Sequence, residues 1–262
     1  MDRPVLHAFV RELADDGRLA ELAEALPTRA RVSEAALPVV LASLHERLER
    51  PLVCLLPEDA DARDAAEAAA WFLGDEAVGY LPSRGVRSES GLEPPPHLVG
   101  ERARALAVLE RGGLVCASAQ AVAEALPPVE ARPDAIDLAA GQEVGVEGLA
   151  EELALAGYSR EERVDDRGQF AVRGGLVDVF PTTGREPVRI EFFGDEVESI
   201  RTFSPFTQRA LHPLDTCTIQ PAAERRLDLV EEWHGDEGET RPVPGDPRSL
   251  DFRLFRAWLD GG

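Results

Sequence analysis

From Gly168 to Arg209 the chain reads GQFAVRGGLVDVFPTTGREPVRIEFFGDEVESIRTFSPFTQR, with apolar residues alternating with polar ones between glycine-marked breaks. A period of two is the pattern of strands that bury one face. The breaks at Asp165–Gly168, Gly174–Gly175, the TTGRE segment and Gly194–Asp195 therefore predict an antiparallel meander. Its strands are expected over Glu161–Val164, Gln169–Arg173, Leu176–Pro181, Val188–Phe193 and Val197–Phe203. Val188, Ile190 and Phe192 must face the core, so Arg189, Glu191 and Phe193 face the other way. Phe170 and Val172 likewise leave Ala171 and Arg173 on that opposite side.

The outer face thus gathers Arg173, Arg189 and Phe193, and two readings of it stand. An exposed aromatic flanked by arginines has the composition of a protein-interaction hot spot. Alternatively, Arg189 and Glu191 pair across strands with Glu196 or Glu198, and Phe193 lies beneath the helix that begins near Glu147. Alternation alone is compatible with both.

The flanking sequence has a different texture. Val5–Leu26 reads as two short amphipathic helices punctuated by Gly17 and Pro27. Ser33 is placed to cap a further helix, in which Pro38 implies a kink or a late start. Then LVCLLP, AVGYLP and LVCAS are short continuous apolar runs, as buried parallel strands require. They alternate with the helical segments EDADARDAAEAAAWFLG and HLVGERARALAVLERGG, and AQAVAEAL follows the last. This order predicts an α/β unit with a mostly parallel sheet over residues 30–127, preceded by N-terminal helices over 1–29. Pro127, Pro128 and Pro133 mark a boundary, after which AIDLAAGQEV reads as strand and turn and GVEGLAEELALAGY as a helix ending near Gly157. Residues 128–212 form the second domain. The remainder, 213–262, holds a strand TCTIQP, a helix AAERRLDLVEEW, an acidic aperiodic linker over His234–Ser249 and a closing amphipathic helix from Leu250.

Composition narrows the chemistry. All 28 basic residues are arginine, so the lysine that a P-loop places on nucleotide phosphates is missing, and Schiff-base chemistry is excluded. The loops after the three parallel strands, where such folds bind ligands, carry Pro57-Glu58-Asp59, Pro82-Ser83-Arg84 and Ala119-Gln120 rather than a glycine cradle. Glu58 and Asp59 are read as first-turn acids facing a helix dipole, with a metal site as the competing reading. Cys54, Cys116 and Cys217 stand apart in apolar runs and read as buried small hydrophobes, and the five histidines are scattered, so neither zinc spacing nor a catalytic constellation is present in the sequence. No catalytic residue, cofactor or metal is expected. The net charge of −21 disfavours direct DNA binding beyond a weak, salt-sensitive association. Only Arg160–Leu211, with eight arginines against ten acids, approaches neutrality. No run approaches the roughly 18 apolar residues of a membrane span, and Met1–Asp16 carries acids in place of a basic leader. A cytoplasmic protein without a membrane partner is expected.

The motifs FAVRGGLVDVFP, PVRIEFFGDEVESIR and FTQRAL resemble the UvrB-interaction domain in the amino-terminal module of bacterial transcription-repair coupling factors (Mfd) and, more loosely, the matching region of the excision-repair helicase UvrB. The likeness is specific over about residues 145–220 and extends more weakly into the α/β unit. It implies a fold class: a degenerate helicase-like (RecA-like) parallel-sheet unit with an inserted α+β domain containing an antiparallel sheet. It implies UvrA as the protein partner, in nucleotide excision repair. It also implies that Arg173 of AVRGG, Arg189 of PVRIEFF and the second phenylalanine of that motif, Phe193, make the contact. Where UvrB has its glycine-rich nucleotide loop this chain has ARVSEAALPVVLASL, without glycine or lysine, so the expected role is a non-enzymatic adaptor. DNA would then be reached only through UvrA. RNA polymerase is an expected partner only where the family's polymerase-binding and motor domains accompany the module. Two alternatives stand beside this reading: a subunit or fragment of an ATP-dependent DNA helicase or translocase, and a stand-alone competitor for UvrA.

Overall fold

A computed structural model of the protein describes residues 6–86 and 93–229. The acidic linker and the closing helix expected over 234–262 lie outside the described residues. The chain divides into two units, one formed by residues up to Ser83 together with Arg104–Glu124, the other by Arg84–Ala103 and the described residues from Ala125 onward.

In the first unit the continuous apolar runs become three parallel strands, β1 (Leu52–Leu56), β2 (Val78–Leu81) and β3 (Leu114–Ser118), in the order β1-β3-β2. Their register aligns Cys54 with Cys116 and Cys116 with Tyr80. Helices α1 (His7–Ala14), α2 (Gly17–Glu24) and α3 (Leu37–Leu48) precede the sheet, and α4 (Asp59–Leu73) joins β1 to β2. α4 packs by its alanines: Ala62, Ala65, Ala66 and Ala69 recur at helical spacing, are buried, and meet Leu114, Cys116 and Val78. The other face is approached by α5 (Pro96–Glu110), within which the division between the units falls. A Cβ at Gly79 would stand 2.9 Å from the Ala105 Cα, so only glycine admits this contact. Asp16 accepts from the Arg18 N–H at 2.8 Å, which makes Gly17 the first residue of α2 rather than a break. Pro38 lies in the first turn of α3, where its missing N–H costs no helical bond, so the late start is the outcome. Ser33 makes no side-chain cap; a 3₁₀ turn at Glu34–Ala36 leads in instead.

The second unit holds a six-stranded sheet ordered β10-β9-β8-β7-β6-β5. Strands β6 (Gln169–Arg173), β7 (Leu176–Val179), β8 (Val188–Phe193), β9 (Glu196–Phe203) and β10 (Ala210–Leu214) are successive antiparallel neighbours. α6 (Ala119–Ala123) closes the first unit, and α7 (Val146–Leu155) lies in the second. A two-stranded antiparallel pair joins β4 (Ile136–Ala139) to β11 (Thr216–Ile219). Leu149 and Leu153 of α7, with Leu138 and Ile219 of that pair, close over Phe170, Val177, Val179, Val188, Ile190, Val197 and Ile200. Around this core the Tyr158 hydroxyl donates to the Gln220 carbonyl at 2.7 Å and accepts from the Thr182 N–H at 3.2 Å. Arg102, fully buried, donates to Glu224 at 2.8 Å, and Arg84 reaches the same carboxylate.

The α/β class, with a parallel-sheet unit and an antiparallel sheet in a second unit, is the one expected. Four details differ. Glu161–Val164 is not a strand; the edge strand is β5, Ser159–Arg160, and it runs parallel to β6. With one apolar residue, Val164, in that stretch, alternation there had no core face to bury. β10 was not expected, because His212 and Pro213 break the apolar pattern and the strand lies exposed at the sheet edge. The helix read over AAERRLDLVEEW shows only a 3₁₀ turn, Leu227–Leu229, among its described residues. Of the cysteines read as buried, only Cys116 is fully so; Cys54 and Cys217 are half-buried.

Ile190 is completely buried at the centre of the second core. Ile190→Ala is expected to lower the unfolding free energy by about 2–5 kcal/mol, read by urea denaturation of the full chain.

Candidate functional site

The face of the six-stranded sheet opposite α7 is built from two cross-strand rows. One runs Arg173–Leu176–Glu191–Ser199 and the next Ala171–Asp178–Arg189–Arg201 across β6, β7, β8 and β9. In the second row Arg189 and Arg201 stand directly opposite, an arrangement that is repulsive on its own. Each guanidinium is drawn instead to its own carboxylate: Arg189 to Asp178, and Arg201 diagonally to Glu191. Ser199 donates to Glu191 at 2.8 Å and closes that second group.

Asp178 is the centre of the first group. It is 1% exposed, yet it carries a carboxylate on a strand between two core valines. Arg189 grips it with both ends of its fork, Nε at 2.7 Å and Nη2 at 2.8 Å, and Arg173 reaches it from the diagonal position. Such a bidentate pair fixes a guanidinium in plane as well as in position. The Arg189 pKa is raised further by hydrogen bonding to Asp178, against the opposing effect of burial. The same guanidinium lies over the Phe203 ring, 4.6 Å from its centroid, and donates to the Gln208 side chain at 3.3 Å. Phe203 has the parity of Arg201 and is fully buried, so Arg189 covers the aromatic floor of this face.

The alternation placed Arg173, Arg189 and Phe193 on one face, and the structure places them there. They differ in accessibility. The Arg189 side chain is 17% exposed and that of Arg173 45%, while Phe193 as a residue is 80% exposed. α7 buries Leu149 and Leu153 in the opposite core, so Phe193 does not lie beneath it. Arg189 and Glu191 do pair within the sheet, but with Asp178 and Arg201 rather than with Glu196 or Glu198. Both arginines are therefore internally held. Arg189 Nη1, and Arg173 Nε and Nη1, have no intramolecular acceptor among the described residues.

Ala171 shares the outer face by parity but is buried beside Asp178. Two participants were missed: Asp178 and Gln208. Asp178 had a signal, since an acid at the outward position of LVDV sits across from Arg189 once the register is set. Gln208 lies in a loop, where no periodicity orients a side chain.

In the first unit, Asp59 accepts from the Ser83 N–H at 3.0 Å and from its hydroxyl at 2.5 Å, which ties the loops after β1 and β2 together. Among the described residues no group of three or more His, Cys, Asp or Glu side chains is placed to hold a metal, and no helix is long and apolar enough to cross a membrane.

Residues 136–224 match the family model described as the UvrB interaction domain. The chain is 37% identical over 195 residues to the transcription-repair-coupling factor of Myxococcus xanthus, covering 71% of this chain and 16% of that one. It is 32% identical over 210 residues to that of Mycobacterium bovis, covering 77% and 17%, and 30% identical over 198 residues to that of Bacillus subtilis, covering 74% and 17%. The chain spans only 16–17% of the length of these relatives.

Removing Asp178 leaves two guanidiniums, one of them largely buried, without their counter-charge. Asp178→Ala is expected to destabilise the protein by about 3 kcal/mol in chemical denaturation.

Proposed function

Because residues 136–224 are a UvrB interaction domain, in a chain homologous to the amino-terminal UvrB-like module of the transcription-repair-coupling factors, we propose that the protein acts in nucleotide excision repair as an adaptor that binds UvrA. The contact surface in this reading is the outer face of the six-stranded sheet, in a UvrA-binding domain over about residues 128–212. One observation carries it: Phe193, 80% exposed, projects from the end of β8 on the face that bears Arg189 and Arg173.

The chemistry of such a contact follows from the geometry. Phe193 supplies apolar area at low conformational cost and fits an apolar depression on the partner. Asp178 holds the two guanidiniums before the partner arrives, so little side-chain entropy is lost on association. Their remaining N–H groups are donors for carboxylates on UvrA. Placing an acid there also extends an existing charge network instead of stranding a buried cation.

The helicase-like unit, over about residues 30–127, acts as scaffold in this reading and turns over no ATP of its own. Supporting this, the segment Ala30–Leu44 forms a 3₁₀ turn and the start of α3 with no glycine in it, and the loops after β1 and β2 bind each other through Asp59 and Ser83. With a net charge of −21, DNA is engaged through UvrA rather than directly.

Binding of the full chain to purified UvrA tests the proposal. Phe193→Ala and Arg189→Ala are each expected to raise Kd about thirtyfold, equivalent to about 2 kcal/mol. Phe193→Ala should leave the melting temperature unchanged, whereas Arg189→Ala should lower it by uncovering Asp178. Undiminished affinity in both variants would exclude this surface.

A further inference from the structure

A second aromatic of this unit stands in water. Phe206, in the loop between β9 and β10, is 90% exposed, whereas Phe203 at the start of the same turn is fully buried beneath Arg189. An isolated exposed apolar residue on a loose loop requires no explanation. This loop is not loose. The Gln208 N–H donates to the Ser204 carbonyl at 2.8 Å and the Ser204 N–H to the Arg209 carbonyl at 3.0 Å, closing the turn. The Pro205 carbonyl, adjacent to Phe206, accepts from the Gln208 side chain at 2.8 Å and from Arg163 at 2.6 Å. The Thr207 N–H, on the other side, donates to Ser204 Oγ at 3.3 Å. Gln208 adopts a left-handed backbone, φ 59°, and its amide oxygen accepts from Arg189.

The backbone on both sides of Phe206 is thus held by hydrogen bonds to which its ring contributes nothing. The ring buries almost no surface, so its presence is not explained by folding. It is a rigidly presented apolar group of low conformational entropy, which is the form an interface anchor takes. Its location is set by the strands. Val188 pairs with Thr202, so the Ser204–Arg209 loop leaves the sheet at the Arg189 end of β8, while Phe193 pairs with Glu196 at the other end. Arg189 and Phe193 are separated by about 13 Å of strand. Gln208 links the loop to Arg189, so the loop that carries Phe206 adjoins the arginine group at the end of β8 opposite Phe193.

We propose that Phe206 is a second apolar anchor of the same docking face. Its occupant is a UvrA surface with two apolar depressions separated by carboxylates that meet Arg189 and Arg173. This rests on the UvrA-binding reading above.

The test is calorimetric titration of UvrA with the full chain and its Phe206→Ala, Phe206→Leu, Phe193→Ala and doubly substituted Phe193→Ala/Phe206→Ala variants, with circular dichroism and melting temperature in parallel. Phe206→Ala is expected to fold as the parent does and to raise Kd about tenfold, while Phe206→Leu, which keeps most of the apolar volume, stays within about threefold. The double variant should show the product of the single effects, because the two rings are far enough apart to act independently. Parental affinity in Phe206→Ala, with Phe193→Ala weakened, would overturn the second anchor and leave the adaptor reading standing. No binding of the parent chain to UvrA would remove both.

Discussion

A buried carboxylate organises the outer face of the six-stranded sheet. Asp178 is 1% exposed in the middle of a sheet, a position that costs several kcal/mol of desolvation unless the charge is fully met. Arg189 meets it with a two-point grip and Arg173 adds a third contact. Further placements follow. Arg189 cannot turn toward Arg201, so the like-charge pair that the register creates is separated into two groups, each with its own carboxylate. With its guanidinium held in plane, Arg189 covers Phe203 and anchors Gln208, and through Gln208 the loop that carries Phe206. One ion pair therefore settles the floor, the charged centre and one rim of the face.

The rest of the second unit packs against the sheet from behind that face. α7 and the β4/β11 pair bury the inward residues of four strands, and the alternation of Val188, Ile190 and Phe192 leaves no freedom in which side chains emerge in front. In the first unit, apolar strands are covered by an alanine-faced helix on one side and by the close approach that Gly79 permits on the other. Its inter-strand loops are satisfied by one another, as Asp59 and Ser83 show.

Much of this was legible in advance for a simple reason. The strands β6 to β9 and the strand-helix order of the first unit are dictated by period and by short-range turn residues, which one chain displays without any partner. Phe193 and Arg189 were assigned to the outer face on parity alone. The failures fall where periodicity carries no information. β5 is two residues long, β10 is an exposed edge containing a proline, and the Ser204–Arg209 loop is shaped by bonds to Arg163 and Arg189, far away in sequence.

The sequence by itself determined the class of fold, the face to which Arg173, Arg189 and Phe193 belong, and the absence of any lysine, because these depend only on composition and on repeat spacing along the chain. The tertiary structure decided which of those residues are available. Whether Arg189 pairs with Asp178 or with Glu196 depends on strand register, and whether Phe193 is covered depends on which side α7 packs. Exposure and ion pairing are properties of what stands across from a side chain, and only the folded chain puts anything there.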